Sequence, residues 1–132
     1  MKKTDYAYIA GLFDGEGCIH ISKRKSGYYQ LRIVVSNTNE MIIRWLGFAF
    51  TGCVWGKKPK GNRRASWTWG VSDRKAEAFL KLIHPYLILK KPEAELAFKF
   101  MQTKVPQNSG GKIPPQTVLQ EAQRVLMQAL KK

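Results

Sequence analysis

The segment IAGLFDGEG at residues 9–17 restricts the possible folds more than any other part of this chain. Thr4 is predicted to cap a helix that runs to about Asp14. Gly11 lies inside that helix, where glycine costs about 1 kcal/mol relative to alanine, and this cost indicates that another element packs closely against it. The two glycines of DGEG then let the chain leave the helix sharply.

After this helix, apolar and polar residues alternate with a period of two, which predicts strands with one buried face. The tripeptide KSG at 25–27 predicts a tight turn between two such strands. The predicted inward residues of the hairpin are Ile19, Ile21, Leu31, Ile33 and Val35. The predicted outward residues are His20, Ser22, Arg24, Gln30, Arg32 and Val34.

The later patterns predict two more strands and four more helices. Residues 104–115 hold Pro, Gly and Ser, and they are predicted to form a loop before the last helix. That amphipathic helix carries an apolar stripe of Val118, Ala122, Val125, Leu126 and Ala129. Between the hairpin and this loop, the first predicted element is a helix that is capped within 37–39 and ended by Gly52. Two strands follow, one at 53–57 and one with Trp67, Trp69 and Val71 inward. The last two elements are a helix from Ser72 to Pro85 and a helix from Pro92.

The predicted order is therefore α-β-β-α-β-β-α with extra C-terminal helices. This order corresponds to an α+β fold with a twisted, antiparallel four-stranded sheet. We find no internal repeat and no linker between domains. The 132 residues are predicted to form one domain at 1–132, with a core at about 5–103 and a C-terminal helical extension at about 114–131.

The charge of the chain restricts its partners. A formal net charge of +14 indicates an acidic partner, with nucleic acid the first candidate and an anionic membrane the second. The alternative is a soluble protein that is merely basic. No apolar run reaches the roughly 18 residues that a membrane span needs. With nucleic acid as the first candidate, we expect no membrane partner. Cys18 and Cys53 lie far apart and predict neither a zinc site nor a disulfide, which favours an intracellular location.

The first helix also carries the residues best suited to catalysis. Ala7, Ala10 and Gly11 form a patch of small residues that lets two helix backbones approach closely. Glu16 follows at the end of the helix with its carboxylate free, and such a hard oxygen ligand suits magnesium. Two copies packed on a two-fold axis would bring two such carboxylates together. The alternative is that Asp14 and Glu16 only cap a turn.

Residues 9–17 resemble the nine-residue LAGLIDADG motif of the homing endonucleases, position by position. Ala10, Gly11, Leu12, Asp14 and Gly17 are identical to the motif, and the other four residues are common variants. The resemblance extends over about 5–103, because the α-β-β-α-β-β-α order is also the core fold of that family. One copy of the motif in the chain places it with the single-motif, homodimeric class.

The resemblance implies a function and a cofactor. It implies that the motif helices form the dimer interface and that Glu16 and Gly15 of each chain hold a divalent metal. The metal would be Mg²⁺ or Mn²⁺, whereas Ca²⁺ would support DNA binding without cleavage. The product would be a double-strand break in a long pseudo-palindromic DNA site. We expect no small-molecule cofactor, and we expect the chain in the cytoplasm or an organelle of the host of a mobile intron or intein.

Two further catalytic positions carry over from the family pattern. Asn37 occupies the place of a polar residue that holds the water network, although it is equally suited to cap the second helix. Lys90 follows the Pro-aromatic-Leu segment and would polarise the phosphate or tune the attacking water. The alternatives are that Lys91 takes this role or that Lys90 is an ordinary solvated lysine. The arginine that relatives often carry near the second helix is not obvious at 39–41.

The polar strand faces are the predicted DNA-reading surface, since twisted antiparallel strands fit the major groove. The residues predicted to contact bases are His20, Ser22, Arg24, Gln30, Arg32, Arg64, Ser66 and Thr68, with Tyr28 near the first turn. The residues predicted to contact phosphates are Lys57, Lys58 and Arg63. Trp67 and Trp69 are assigned to the core, whereas Trp55 is predicted to face either way. The alternative is a polar face that only meets water.

Three functions are consistent with these patterns. The first is a site-specific homing endonuclease that binds double-stranded DNA. The second is an intron-RNA splicing cofactor (a maturase), or a DNA-binding protein on the same scaffold that does not cleave. The third is an unrelated basic RNA-binding protein. Glu16 and Lys90 favour the first, because catalysis needs both groups.

Overall fold

A computed structural model describes residues 1–58, 61, 64–104 and 117–131. The order of elements agrees with the sequence prediction, and the fold is α+β with one antiparallel sheet of four strands. The elements are α1 (Lys3–Glu16), β1 (Gly17–Lys23), β2 (Tyr29–Asn37), α2 (Glu40–Phe50), β3 (Cys53–Lys57), β4 (Ser66–Ser72), α3 (Asp73–Ile83), a 3₁₀ turn (His84–Tyr86), α4 (Lys91–Gln102) and α5 (Thr117–Leu130).

The sheet has the strand order β1-β2-β4-β3, so β4 lies between β2 and β3. Ile19 pairs with Ile33, which pairs with Val71, and all three side chains are buried on the same face of the sheet. The helices cover this face and leave the other face open. The predicted alternation of β1, β2 and β4 is therefore confirmed.

Aromatic side chains fill the centre of the core between sheet and helices. Phe79 of α3 packs edge-on against Phe13 of α1, with 5.7 Å between the ring centroids, and against Trp69 of β4 at 4.9 Å. All three side chains are buried, and Phe50 at the end of α2 joins the same cluster. Burying a large apolar side chain contributes about 1.5–3 kcal/mol, so this cluster fixes α1 on the sheet.

The first helix differs from its prediction at both ends. Thr4 is not the cap, because the helix begins at Lys3 and Asp5 accepts a hydrogen bond from the backbone N of Lys2 at 2.9 Å. The helix continues through Glu16 rather than ending at Asp14. Gly17 has φ −88°, an ordinary value, and glycine is needed there because a Cβ atom would overlap the ring of Phe13.

The other two predicted caps have different outcomes. The cap of α2 lies within 37–39, as predicted, and is Asn39, whose side chain accepts a hydrogen bond from the backbone N of Ile42 at 3.2 Å. The predicted cap of α3 is wrong. Ser72 precedes α3 without a cap hydrogen bond. The neighbouring Asp73 adopts φ +51°, and its carboxylate accepts from the backbone N of Leu31 at 3.1 Å.

The last helix is rotated relative to its prediction. Met127 and Gln123 of α5 are buried, whereas Val118 and Val125 of the predicted stripe are 80% and 52% exposed. The rotation follows from a polar contact, because the Tyr29 hydroxyl donates to Glu121 at 2.6 Å and holds that face of α5 against the sheet. None of the helices in the described part of the chain combines the length and apolar character of a membrane span.

The Tyr29–Glu121 contact predicts a pH dependence of stability. Hydrogen bonds from Arg124 and Tyr29 lower the pKa of Glu121 from 4.5 to about 2. A lowered pKa in the folded state stabilises the protein above pH 4.5, and this contribution is lost as the pH falls towards 2. Thermal unfolding of the wild type and Glu121→Gln should therefore differ at pH 6 and converge near pH 2. An equal difference at both pH values would contradict the assignment.

Candidate functional site

The C-terminal end of α1 is tied to the segment that precedes α4. Asp14 accepts hydrogen bonds from the backbone N of Ile88 at 2.8 Å and from that of Lys90 at 3.0 Å. The Lys90 Nζ donates to the backbone O of Asp14 at 2.7 Å. Asp14 therefore anchors a segment that is distant in sequence, and it places the Lys90 side chain beside the motif.

Glu16 takes no part in this tether. It is the last residue of α1, and its side chain is exposed, as is Gly15 before it. No hydrogen-bond partner of the Glu16 carboxylate occurs among residues 1–58, 61, 64–104 and 117–131. An exposed carboxylate of this kind fits a hard divalent ion. In the described part of the chain, no cluster of three or more His, Cys, Asp or Glu side chains suits a metal ion.

The two lysine candidates have different positions. Lys90 is half-buried, and its backbone N and side-chain N both contact Asp14. Lys91 begins α4, and among the described residues its side chain forms no hydrogen bond or ion pair with the motif helix. The geometry thus brings Lys90 rather than Lys91 to the motif.

A second carboxyl group near Lys90 was not predicted as part of a site. Glu93 in the first turn of α4 is buried, and burial raises its pKa, although the positive charge of Lys90 opposes this rise. The burial of Glu93 depends on how α4 packs, which the sequence pattern does not show.

Asn37 lies at the end of β2, and its side-chain oxygen accepts a hydrogen bond from the backbone N of Asn39 at 2.8 Å. This contact leaves the two N–H donors of the amide for other partners. Asn37 therefore orients the residue that caps α2 instead of capping the helix itself.

One face of α1 is exposed along the helix. Ala7, Tyr8, Gly11 and Gly15 are exposed, and a Cβ atom added at Gly11 would meet no atom of the described residues within 4 Å. The neighbour predicted for Gly11 is thus not found within the described protomer. The prediction for Ala10 is wrong, because its side chain points into the core and is fully buried.

The open face of the sheet carries most of the predicted DNA-reading residues. On this face His20 pairs with Arg32 and Ser22 pairs with Gln30 across β1 and β2. Arg24 Nε donates to Gln30 Oε1 at 3.3 Å just beyond the end of β1. Ser66 and Thr68 lie on β4, and Arg64, Lys57 and Lys58 are exposed near its start. Arg63 lies outside the described residues.

Tyr28 does not belong to this open face. Its hydroxyl donates to Asp73 at the start of α3, over 3.2 Å, and accepts from Lys104 Nζ at 2.6 Å. The Lys104 ammonium also lies 3.8 Å from the centroid of the Tyr28 ring. These polar contacts turn the Tyr28 side chain towards the helices and away from the other residues predicted to contact DNA, so its own contact with DNA stays a prediction.

Two residues of the open face were not among the predicted contacts. Lys131 follows α5, and its Nζ lies 3.2 Å from His20 Nδ1. Burial, the charge of Lys131 and the charge of Arg32 lower the pKa of His20, because each of them disfavours the positively charged imidazolium. Trp55 faces outward on β3, and its ring centroid is 5.3 Å from the guanidinium carbon of Arg32.

Asp14→Asn should destabilise the fold. The amide cannot accept from both backbone N–H groups without turning its own NH₂ towards one of them, so we expect a loss of about 1–3 kcal/mol in the free energy of unfolding. Urea denaturation measures this loss. Glu16→Gln is the matched control two residues away, since its exposed carboxylate has no hydrogen bond to lose within the ranges that the structure describes. Equal stability of the two variants would show that the Asp14 tether contributes nothing.

Comparison with known sequences identifies the family of this site. The sequence profile described as LAGLIDADG endonuclease matches residues 9–101, which include the motif, the whole sheet and Lys90. The chain belongs to this family. A search of curated proteins finds no significant match.

Solved structures of LAGLIDADG proteins share the fold. I-CvuI in complex with its target in 2 mM Ca is 22% identical, with a TM-score of 0.74, over 97% of this chain and 82% of that one. The archaeal intron-encoded homing endonuclease I-Vdi141I complexed with DNA is 13% identical, with a TM-score of 0.75, over 100% and 87%. I-TnaI is 15% identical, with a TM-score of 0.63, over 99% and 94%.

Proposed function

We propose that this LAGLIDADG chain is a site-specific, divalent-metal-dependent DNA endonuclease that acts as a homodimer. The observation that carries the proposal is the exposed Glu16 carboxylate at the end of the motif helix, with the Lys90 ammonium bound to the same helix end. A carboxylate for a metal and a cation for a phosphate are the groups that phosphodiester hydrolysis needs side by side. As a homing enzyme, the chain would be encoded within a mobile intron or intein and would act in the cytoplasm or an organelle of its host.

The exposed face of α1 supports the homodimer. One protomer offers one Glu16, whereas two α1 helices crossing at Ala7 and Gly11 would place two copies near a common axis. The small side chains permit a short distance between the helix axes. Gly15 lies on the same exposed surface, so the helix contact would continue to the two carboxylates.

The donor set suits Mg²⁺ or Mn²⁺. Bound metal would supply a nucleophilic water at neutral pH and stabilise charge on the phosphate oxygens. Glu16 would hold the ion, with the backbone oxygen of Gly15 as a further oxygen donor. Lys90 would bind a phosphate oxygen, and the free amide donors of Asn37 would orient water.

The open sheet face and the net charge support DNA as the substrate. I-CvuI and I-Vdi141I, which share the fold, were solved bound to DNA. On this chain the open face combines arginine, glutamine and histidine side chains, which bind base edges in the major groove. The formal net charge of +14 supplies the attraction to phosphates.

The proposal separates phosphate contacts from base contacts. Lys58→Ala should weaken binding to all sequences alike and lower the slope of log affinity against log salt by about one. Arg32→Ala should instead cost about 1–3 kcal/mol and relax the preference at one base pair in each half-site. Binding-site selection and salt titrations measure both. Uniform weakening by Arg32→Ala would make Arg32 a phosphate contact.

Cleavage is tested with a plasmid library that carries randomised sites. The purified chain is incubated with Mg²⁺ or with EDTA, and the cut ends are sequenced. The proposal expects double-strand breaks at one pseudo-palindromic sequence in Mg²⁺ only. I-CvuI with the I-CreI target in 2 mM Mg holds DNA that is not cleaved, so binding must be measured on the same library. Specific binding without cuts would favour a non-cleaving protein on this scaffold.

A further inference from the structure

The centre of the open sheet face holds an arginine stacked on an indole ring. Arg32 of β2 and Trp55 of β3 are on strands that do not pair with each other, because β4 lies between them. They meet above Gly70 of β4, and 5.3 Å separates the guanidinium carbon of Arg32 from the Trp55 ring centroid. This geometry is that of a cation–π contact.

Gly70 provides the room for this contact. A Cβ atom at Gly70 would lie 3.2 Å from Arg32 Nη2, 3.2 Å from Trp55 Cη2 and 3.2 Å from Val34 Cγ1. The φ of Gly70 does not require glycine. A side chain at this position would instead force Arg32, Trp55 or Val34 to shift by a few tenths of an ångström, so its absence favours the contact. The guanidinium and the indole therefore rest directly on the backbone of the central strand.

A second contact fixes the remaining rotation of the guanidinium. Arg32 Nη1 donates to Ser72 Oγ at 3.4 Å, and Ser72 pairs with Arg32 across β2 and β4. On the side of β2 that faces β1, His20 pairs with Arg32, and the ammonium of Lys131 lies beside His20. Positive charge on that side disfavours a swing of the guanidinium towards β1 and leaves Trp55 as its support.

We propose that Trp55, resting on Gly70, is a positioning residue that holds Arg32 in the orientation in which it reads a guanine. The inference rests on the proposed DNA-binding function. Arginine recognises guanine with two parallel N–H donors to O6 and N7, and a stack on one side keeps these donors in a fixed plane. A freely rotating arginine would lose rotamer entropy on binding, and preorganisation avoids that cost.

The experiment starts from the wild-type chain and the duplex that binding-site selection gives. If no sequence is selected, the proposed function fails before Trp55 is tested. Otherwise Trp55→Leu should lower the preference for guanine at one base pair in each half-site by about 2- to 5-fold, the value of one exposed cation–π contact. Trp55→Phe keeps an aromatic face and should retain most of the wild-type preference for guanine. The preference at other base pairs should not change.

A double-mutant cycle separates positioning from direct contact. In an Arg32→Ala background, Trp55→Leu should change the base preference no further, because Trp55 acts through Arg32. Independent effects of the two substitutions would overturn the proposal and make Trp55 a DNA contact itself. An unchanged preference in Trp55→Leu would also overturn it.

Gly70→Ala tests the same contact between Arg32 and Trp55 without removing Trp55. The added methyl group crowds both Arg32 and Trp55, so it should reduce the same guanine preference. Arg44→Ala is the control, because it removes another arginine that stacks on a tryptophan. The guanidinium carbon of Arg44 lies 5.1 Å from the ring centroid of Trp67. This second stack involves α2 instead of the open face. A change of base preference in Arg44→Ala comparable to that in Trp55→Leu would contradict the assignment to Trp55.

Discussion

Replacement of Glu16 by glutamine should abolish DNA cleavage and leave specific DNA binding largely intact. The amide has nearly the same shape as the carboxylate, but it is a far weaker ligand for a hard cation. A catalytic metal contributes several kcal/mol to transition-state stabilisation, so the cleavage rate should fall by about a thousand-fold or more. The fold should not change, because the Glu16 side chain is exposed. Single-turnover cleavage and a binding titration in Ca²⁺ measure the two properties on one duplex.

The control for this prediction is Glu95→Gln. Glu95 is an exposed glutamate on α4 whose carboxylate faces His84 at 3.4 Å rather than the motif helix. Its variant should cleave at the wild-type rate. Full activity of Glu16→Gln would remove the metal assignment, whereas equal loss in both variants would trace the effect to overall charge.

Gly11→Leu should convert the proposed dimer into a folded monomer. The side chain would enter the space into which the second α1 helix is proposed to pack, and the symmetry of a homodimer introduces it twice. Overpacking costs about 1–3 kcal/mol per site, so dissociation should rise by at least roughly 30-fold. The protomer itself should tolerate leucine, because no atom in the described part of the protomer lies within 4 Å of the added Cβ and leucine favours the helix.

Sedimentation at micromolar concentration distinguishes the two states. The wild type should sediment as two chains and Gly11→Leu as one chain of 15.1 kDa with an unchanged circular dichroism spectrum. Ala78→Leu, an exposed small residue on α3, is the matched control and should remain a dimer. A wild-type mass of one chain would exclude the proposed arrangement of the active site.

Local patterns were sufficient to predict the sheet and its open face. Successive side chains of a strand point to opposite faces of the sheet. Once this period of two is recognised, burial of Ile19 places His20 on the open face, and burial of Leu31 does the same for Arg32. The order of elements followed from the same periods. The exposed Glu16 could also be predicted, because the helix ends where the glycines of the motif occur.

Contacts distant in sequence could not be predicted. The Asp14–Lys90 tether joins residues 76 positions apart, and no local pattern indicates it. Ala10 was assigned to the wrong side of α1 because small residues give no signal of which face is buried. The rotation of α5 was missed because a hydrogen bond between Tyr29 and Glu121, 92 residues apart, competes with the apolar stripe.

The most direct test is strand-resolved cleavage of the selected duplex by the wild-type chain in Mg²⁺, Mn²⁺, Ca²⁺ and EDTA. Two copies of Glu16 on a common axis predict that both strands are cut at symmetric positions in Mg²⁺ or Mn²⁺. In Ca²⁺ the duplex should be bound and intact, and in EDTA it should also remain uncut. Cleavage that persists in EDTA, or a bound duplex that stays intact in both Mg²⁺ and Mn²⁺, would contradict the proposal.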